Sequence, residues 1–193
     1  VDTVISLNSY IKQFASLFSG TSGSRRKREA VNPKNIIEQL RDGFEKLLDK
    51  YNIKLSISQG HEGFDDIWVL RASFESIILN LIGNSINALT RVSRKEKWIK
   101  IEIERRYNHL EIVVSDNGFG ILEDNWNNIF DPQWTEKEQG TGMGLTIVKE
   151  IITEDYDGII KVVRSVSEQK VKGGGETTFL ISIPVANLAK ESK

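Results

Sequence analysis

Apolar positions recur along this chain with two different periods, and the places where the period changes divide it into elements. Val4, Leu7, Ile11, Phe14 and Phe18 alternate spacings of three and four. That is a heptad seam, and it predicts a helix packed against a helix of a second protomer or against its own domain. Ser19 to Asn32 (SGTSGSRRKREAVN) carries no such pattern. It is rich in Gly and Ser, then basic, and ends before Pro33, so it reads as a linker. Lys34 to Tyr51 is predicted helical, with Ile36, Ile37, Leu40, Phe44, Leu47 and Leu48 on one face. Ile53 to Ser58 alternates apolar and polar residues and predicts a strand. Ser73 to Leu89 predicts a second helix. Ile99, Ile101 and Ile103 alternate with Trp98, Lys100, Glu102 and Glu104, which predicts a half-buried strand over Trp98 to Arg105. Tyr107 to His109 is a turn, and Leu110 to Ser115 returns as the hairpin partner. Leu145 to Thr153 is a third predicted helix. Gly158 to Ser165 and Thr177 to Pro184 are closing strands around a loop containing Gly173, Gly174 and Gly175.

The expected fold is α+β, a two-layer sandwich of a mixed, mostly antiparallel sheet with helices on one face. It occupies residues 33–188, after a helical segment at 1–18 and the linker at 19–32, with a short tail at 189–193. A length of 193 residues suits one well-packed domain with an appendage. The 39% hydrophobic and 27% charged fractions are those of an ordinary soluble protein. A net charge of -1 argues against nucleic acid as the main partner. The run Arg25 to Arg28 reads as a solvated hinge or as a localisation or nucleic-acid patch. The absence of cysteine excludes disulfides, thiolate metal sites and thiol nucleophiles. His61 and His109 stand too far apart to suggest a His-rich metal site. No apolar run approaches the roughly 20 residues of a membrane span, and no signal peptide is visible. The chain starts at Val1, as a piece of a longer protein would.

Three short segments carry candidate chemistry. In NLIGNSINAL, Asn80, Asn84 and Asn87 lie at i, i+4 and i+7, on one predicted stripe of a helix whose other positions are apolar. Amides beside a core face need partners. Backbone groups would serve, and so would Mg2+, since an amide oxygen is a hard ligand for an ion that keeps waters and shares phosphate oxygens. The second segment, DNGFG at Asp116 to Gly120, ends a strand. Its carboxylate can accept a hydrogen bond from an amino group such as that of adenine, and Gly118 and Gly120 let a flat ligand approach. A plain Asn-Gly hairpin turn is the other reading, though ILEDNWNN is not a returning strand. The third, GTGMGL, opens the last helix: Gly140, Thr141, Gly142, Met143, Gly144 and Leu145. Glycine-rich amides at a helix N-terminus make an anion site. Between the last two lies FDPQWTEKEQ, polar and flanked by aromatics, with the composition of a lid. Lys137 is placed to reach a γ-phosphate or to be an exposed lid charge.

Together these residues closely resemble the catalytic and ATP-binding domain of sensor histidine kinases, within the wider family of ATPases that includes gyrase, Hsp90 and MutL. The resemblance runs from about Pro33 to Val185. NLIGNSINAL resembles the asparagine box and DNGFGI the first glycine box. IFDPQWTEK is similar to the phenylalanine box, GTGMGLTIVKEII to the second glycine box, and GGGETTFLISIP to the closing strand. The resemblance implies a Bergerat ATP-binding fold, with ATP and Mg2+ as ligands. It implies that Asn84 coordinates Mg2+, with Asn80 one turn earlier, and that Asp116 reads adenine. Gly118, Gly120 and Ile121 would form the first turn, Gly140 to Leu145 would wrap the phosphates, and Thr178 would help hold the adenine. It also makes residues 1–18 the end of a dimerisation helix and implies a homodimer, a response-regulator partner and a cytoplasmic location.

The chain departs from the family pattern at three places. Asn87 stands where many kinases carry a lysine, and Pro132-Gln133-Trp134 replaces Pro-Phe-Phe. Neither His61 nor His109 has the setting of a phosphoacceptor. Three functions remain in view. A kinase would deliver the γ-phosphoryl to a histidine upstream of Val1. A hydrolysing conformational switch would need a glutamate where Asn80 stands, and an amide takes no proton at neutral pH. A nucleotide-binding pseudokinase would need neither.

Overall fold

The structure is a computed structural model and describes residues 27–60, 66–132, 134, 143–167 and 175–188. The expected heptad helix at 1–18 and the tail at 189–193 lie outside the described residues. The elements in order are β1 (Glu29–Val31), α1 (Pro33–Lys50), β2 (Ile53–Gln59), β3 (Ile67–Val69) and α2 (Arg71–Thr90). Then come β4 (Lys97–Arg106), β5 (His109–Asp116), single 3-10 turns at Glu123–Asn125 and Asn128–Phe130, and α3 (Gly144–Tyr156). β6 (Ile159–Val166), β7 (Glu176–Pro184) and a 3-10 turn at Val185–Leu188 follow.

Local chemistry explains the boundaries. α1 starts at Asn32, whose side chain accepts from the Asn35 amide, and Pro33 occupies the first turn, where its missing N–H is no loss. It ends at Tyr51, and Asn52, with φ 51, turns the chain into β2. α3 ends with Asp157 in the left-handed conformation (φ 50) and the Gly158 amide donating to Ile152 O at 2.9 Å, a hydrogen-bonded stop.

The main sheet has the order β2-β4-β5-β7-β6. β2 and β4 run parallel, from Ile53↔Lys97 to Gln59↔Ile103, and every other pair is antiparallel. It is the expected mixed, mostly antiparallel sheet. Strand alternation puts Ile99, Ile101, Ile103, Leu110, Ile112, Val114, Phe179, Ile181 and Ile183 on the buried face. Lys100, Glu102 and Glu104 face away from it. The helices cover that buried face, so the core lies between one side of the sheet and one helical layer. α2 packs against α1, α3, β4 and β5, and is buried on most of its circumference.

The expected linker at 19–32 overlaps the fold. β1 pairs antiparallel with β3, Glu29↔Val69 to Val31↔Ile67, as a separate two-stranded sheet. Two further contacts tie this strand down. Arg71 reaches Glu29 at 3.9 Å, Gln39 at 3.0 Å and Glu75 at 2.7 Å. Arg28 lies over the Tyr156 ring at 5.5 Å and donates to Asp155 O. Three-residue strands are too short for a two-residue period to register, which is why both escaped the hydrophobic pattern.

Ile101 sits at the centre of this packing, fully buried between Ile57 and Val114 in the strand order. Ile101→Ala should lower stability by about 2–5 kcal/mol. Urea unfolding should show a lower midpoint with an unchanged m-value.

Candidate functional site

α2 supplies one wall. Its half-buried positions on one side include Ser76, Asn80, Asn84 and Ala88, four residues apart. A four-residue step keeps side chains nearly aligned along a helix, so this is its one partly accessible stripe. Asn80 and Asn84 lie in it, as expected. Asn87, on the same face by its spacing, is buried instead: it is 5% exposed, and its Nδ2 donates to Gly83 O at 3.3 Å. Asn80 uses Nδ2 on Ser76 O at 2.8 Å, which leaves its Oδ1 for another partner.

That oxygen faces the start of α3. A Cβ placed on Gly144 would lie 2.9 Å from Asn80 Oδ1 and 4.0 Å from Asn84 Nδ2. A side chain here would have to displace the Asn80 amide, so glycine lets the backbone lie close to both asparagines in this arrangement. Met143, the residue that caps α3, offers no side-chain hydrogen bond, and its side chain is exposed. Leu145 is half-buried and packs on the core. Lys137, Gly140, Thr141 and Gly142 lie outside the described residues. The approach to them is anchored by Phe130, buried with its ring edge-on to Phe179 at 6.4 Å, and by Trp134, which packs on the core.

Asp116 closes β5 and is 2% exposed. Its Oδ1 accepts from the Gly118 amide at 2.9 Å, and its Oδ2 accepts from the Ser85 hydroxyl at 2.9 Å. Burial pushes the carboxyl up to about 6, against the pull of those two donors; Glu176 raises it further and Arg94 lowers it. The two glycines beside it serve the protein's own packing. A Cβ on Gly118 would meet Ala88 Cβ at 2.5 Å, and one on Gly120, whose φ is 76, would collide with Val166 O. The turn can therefore lie against α2 on one side and β6 on the other. The Ile121 amide then donates to Ser165 Oγ at 2.7 Å, and Ile121 packs on the core. Asn117 stitches the turn to β4, accepting from Trp98 N at 2.7 Å and donating to Glu96 O at 2.9 Å. The chain then enters 3-10 turns, so the Asn-Gly hairpin reading is set aside.

Thr178 is not on the Asp116 side of the sheet. It pairs with Ser115 and bonds its hydroxyl at 3.0 Å, whereas Thr177 pairs with Asp116 and is 3% exposed. Directly opposed residues share a face, so Thr177 is the threonine beside the carboxylate. Ser85 and Thr177 were both missed by motif reading. Each is visible only through a long-range pairing. His109, exposed at the far end of β5, takes no part, and His61 lies outside the described residues.

The arrangement thus joins a buried acceptor, two amide side chains and Gly144, the first residue of α3. Among the described residues no group of three or more His, Cys, Asp or Glu could hold a metal ion. A divalent cation here would take the Asn84 amide and ligand oxygens. The hard amide oxygen of Asn84 fits Mg2+, which keeps waters and needs few protein ligands.

Residues 70–187 match the family model described as histidine kinase-, DNA gyrase B-, and HSP90-like ATPase. The C4-dicarboxylate transport sensor protein DctB of Rhizobium meliloti (strain 1021) is 33% identical over 116 residues, covering 60% of this chain and 17% of that protein. The sensor histidine kinase ZraS of Salmonella typhimurium is 37% identical over 110 residues, covering 56% of this chain and 21% of that one. The chain therefore spans a small part of these relatives. The catalytic domain of histidine kinase ThkA superposes with a TM-score of 0.69 at 26% identity, covering 82% of this chain and 96% of that domain.

The raised carboxyl has a consequence for stability. Its folded value of about 6 lies above the ordinary 3.8, so folding binds a proton between them. The stability this supplies is complete below about pH 4 and lost as pH rises through about 6. Asp116→Asn should remove that dependence. Thermal unfolding across pH 4–8 should show the variant gaining on the wild type as pH rises, by up to about 3 kcal/mol above pH 7.

Proposed function

The chain belongs to the histidine kinase-, DNA gyrase B-, and HSP90-like ATPase family, and on that premise we propose that it binds ATP with Mg2+. In this reading it transfers the γ-phosphoryl to a histidine N-terminal to Val1. One observation carries the site assignment: the approach of Gly144 to Asn80 and Asn84, on the helix that also touches Asp116 through Ser85. Asp116 accepts from the exocyclic amine of adenine, a contact that guanine, with a carbonyl there, cannot make. Asn80 and the amides of the second glycine turn hold the triphosphate, joined by Lys137. Mg2+ held by Asn84 would supply neutralisation of phosphate charge. The remaining work of the domain is positioning and water exclusion.

Phosphoryl transfer breaks the bond between the γ-phosphorus and the β,γ-bridging oxygen and forms a P–N bond to imidazole, with ADP leaving. The histidine is itself the nucleophile, so no base for water is needed. This favours transfer over hydrolysis, because Asn80 stands where a hydrolysing relative would place a glutamate. Glu75 cannot substitute. It is 4% exposed and paired with Arg71 at 2.7 Å. Dimerisation through residues 1–18, a response-regulator acceptor and a cytoplasmic setting belong to the same proposal. Among the described residues no helix is long and apolar enough to cross a membrane.

Incubating the full-length protein with γ-labelled ATP should give protein-bound label that is acid-labile and base-stable. Phosphate release without labelled protein would instead mark a hydrolase, and nucleotide binding with neither would mark a pseudokinase. Asn84→Ala should weaken Mg·ATP binding about 10- to 100-fold by calorimetry, with the circular dichroism spectrum unchanged. Unaltered affinity would remove Asn84 from the site.

A further inference from the structure

Ser85 follows Asn84 on α2, but one residue turns the side chain about 100° around the helix. It leaves the accessible stripe and points at the sheet. There it is 1% exposed and donates to Asp116 Oδ2 at 2.9 Å, while the Gly118 amide holds Oδ1 at 2.9 Å. A carboxylate held on one oxygen can swing about its terminal torsion. Held on both, its plane is set. Each oxygen accepts one bond and keeps a lone-pair site for another.

We propose that Ser85 is a positioning residue for purine recognition: its hydroxyl fixes the plane of the Asp116 carboxylate so that the free lone pairs meet the exocyclic amine of adenine. This rests on the ATP reading above and deepens it, naming a residue that sets base selectivity. The neighbours of the carboxylate leave that part to Ser85. α2 brings Ser85 and the methyl of Ala88. The turn brings the Gly118 amide, which no side-chain change removes. Arg94, after α2, attracts the carboxylate, and Glu176 on β7 repels it, but neither hydrogen-bonds it. Thr177 lies opposite on β7. Ser85 is therefore the neutral side-chain donor whose removal loosens the carboxylate without altering the local charge. Losing it also withdraws a bond that favours the ionised form, so the carboxyl should titrate higher.

The test compares wild type, Ser85→Ala and Ser85→Cys. Carbon NMR follows the titration of the Asp116 carboxyl without nucleotide, and calorimetry measures ATP and GTP binding at pH 6.5 and 8. The ratio of wild type to variant cancels the titration of the nucleotide's own phosphate. Ser85→Ala should raise the proton affinity of Asp116 about tenfold, weaken ATP about tenfold at pH 6.5 and less at pH 8, and reduce the preference for ATP over GTP. Ser85→Cys, near in volume but a weak donor, should fall between, and it serves as the variant of record if alanine disturbs folding. A side chain that merely fills space would leave the titration where it was. An unchanged midpoint and an unchanged ATP:GTP ratio, in a wild-type protein that binds ATP, overturn the proposal alone. A wild-type protein that binds no nucleotide overturns the ATP reading and this proposal together.

Discussion

The structure depends on a helix that must be buried and yet must keep one narrow polar stripe accessible. Most positions of α2 are apolar, and it packs against two helices and two strands. Each amide it carries would be costly inside that layer unless hydrogen-bonded. Asn87 and Asn80 each meet it in part locally, donating Nδ2 to Gly83 O and to Ser76 O. What remains of Asn80, and Asn84 beside it, faces the start of α3 at Gly144. The same helix turns Ser85 toward the sheet and Ala88 toward the glycine turn. One rigid element therefore sets the spacing between the amides on one side and the buried carboxylate on the other, and a site on a helix is held more firmly than one on loops.

The carboxylate shows how such a site is kept poised. Burial alone would drive Asp116 neutral, and two hydrogen bonds with the pull of Arg94 hold its titration near 6. Below that pH it carries a proton; above it, it is an acceptor. The fold gives up stability to keep an ionised carboxylate out of water at neutral pH. Groups held at such a cost cluster where a ligand will use them.

How much could be read from the chain follows from which interactions are local. α1 and the β4–β5 hairpin announce themselves because each buries one face, so period and structure agree. The turn at Asp116 to Gly120 is legible because aspartate and glycine at that spacing serve backbone geometry within a few residues, as the Gly118 amide bonded to Asp116 and the φ of Gly120 show. Failures come where the deciding contact is remote. A period of two cannot choose between Thr177 and Thr178, since a slip of one residue exchanges the faces, and the choice is made by the pairing of Asp116 with Thr177 across the sheet. Asn87 lies about 20° around the helix from Asn80, so its burial comes not from its spacing but from what covers that level of α2, which the sequence cannot show. Ser85 reads as any small residue until β5 is brought against it. Gly118 and Gly120 suggest room for a ligand in the sequence, whereas in the fold their missing side chains make room for Ala88 and for the backbone of β6.

α3 adds a final constraint. At 13 residues and about 1.5 Å per residue it is roughly 20 Å long, and its two ends meet different parts of the fold. Gly144 lies against the asparagines of α2. Tyr156, 1% exposed, sits under Arg28 and donates to Leu70 O at 3.3 Å, just before α2 begins. Arg28, just before β1, thus touches the C-terminal end of α3, and Glu29 in β1 meets Arg71 at the N-terminal end of α2. The two walls of the site are in this way joined twice, by close packing where Gly144 meets the middle of α2 and by the segment Arg28–Glu29 beyond it. The second link is the weaker one, because the Arg71–Glu29 pair at 3.9 Å is largely exposed and such pairs hold little, whereas the approach of Gly144 to α2 is close packing.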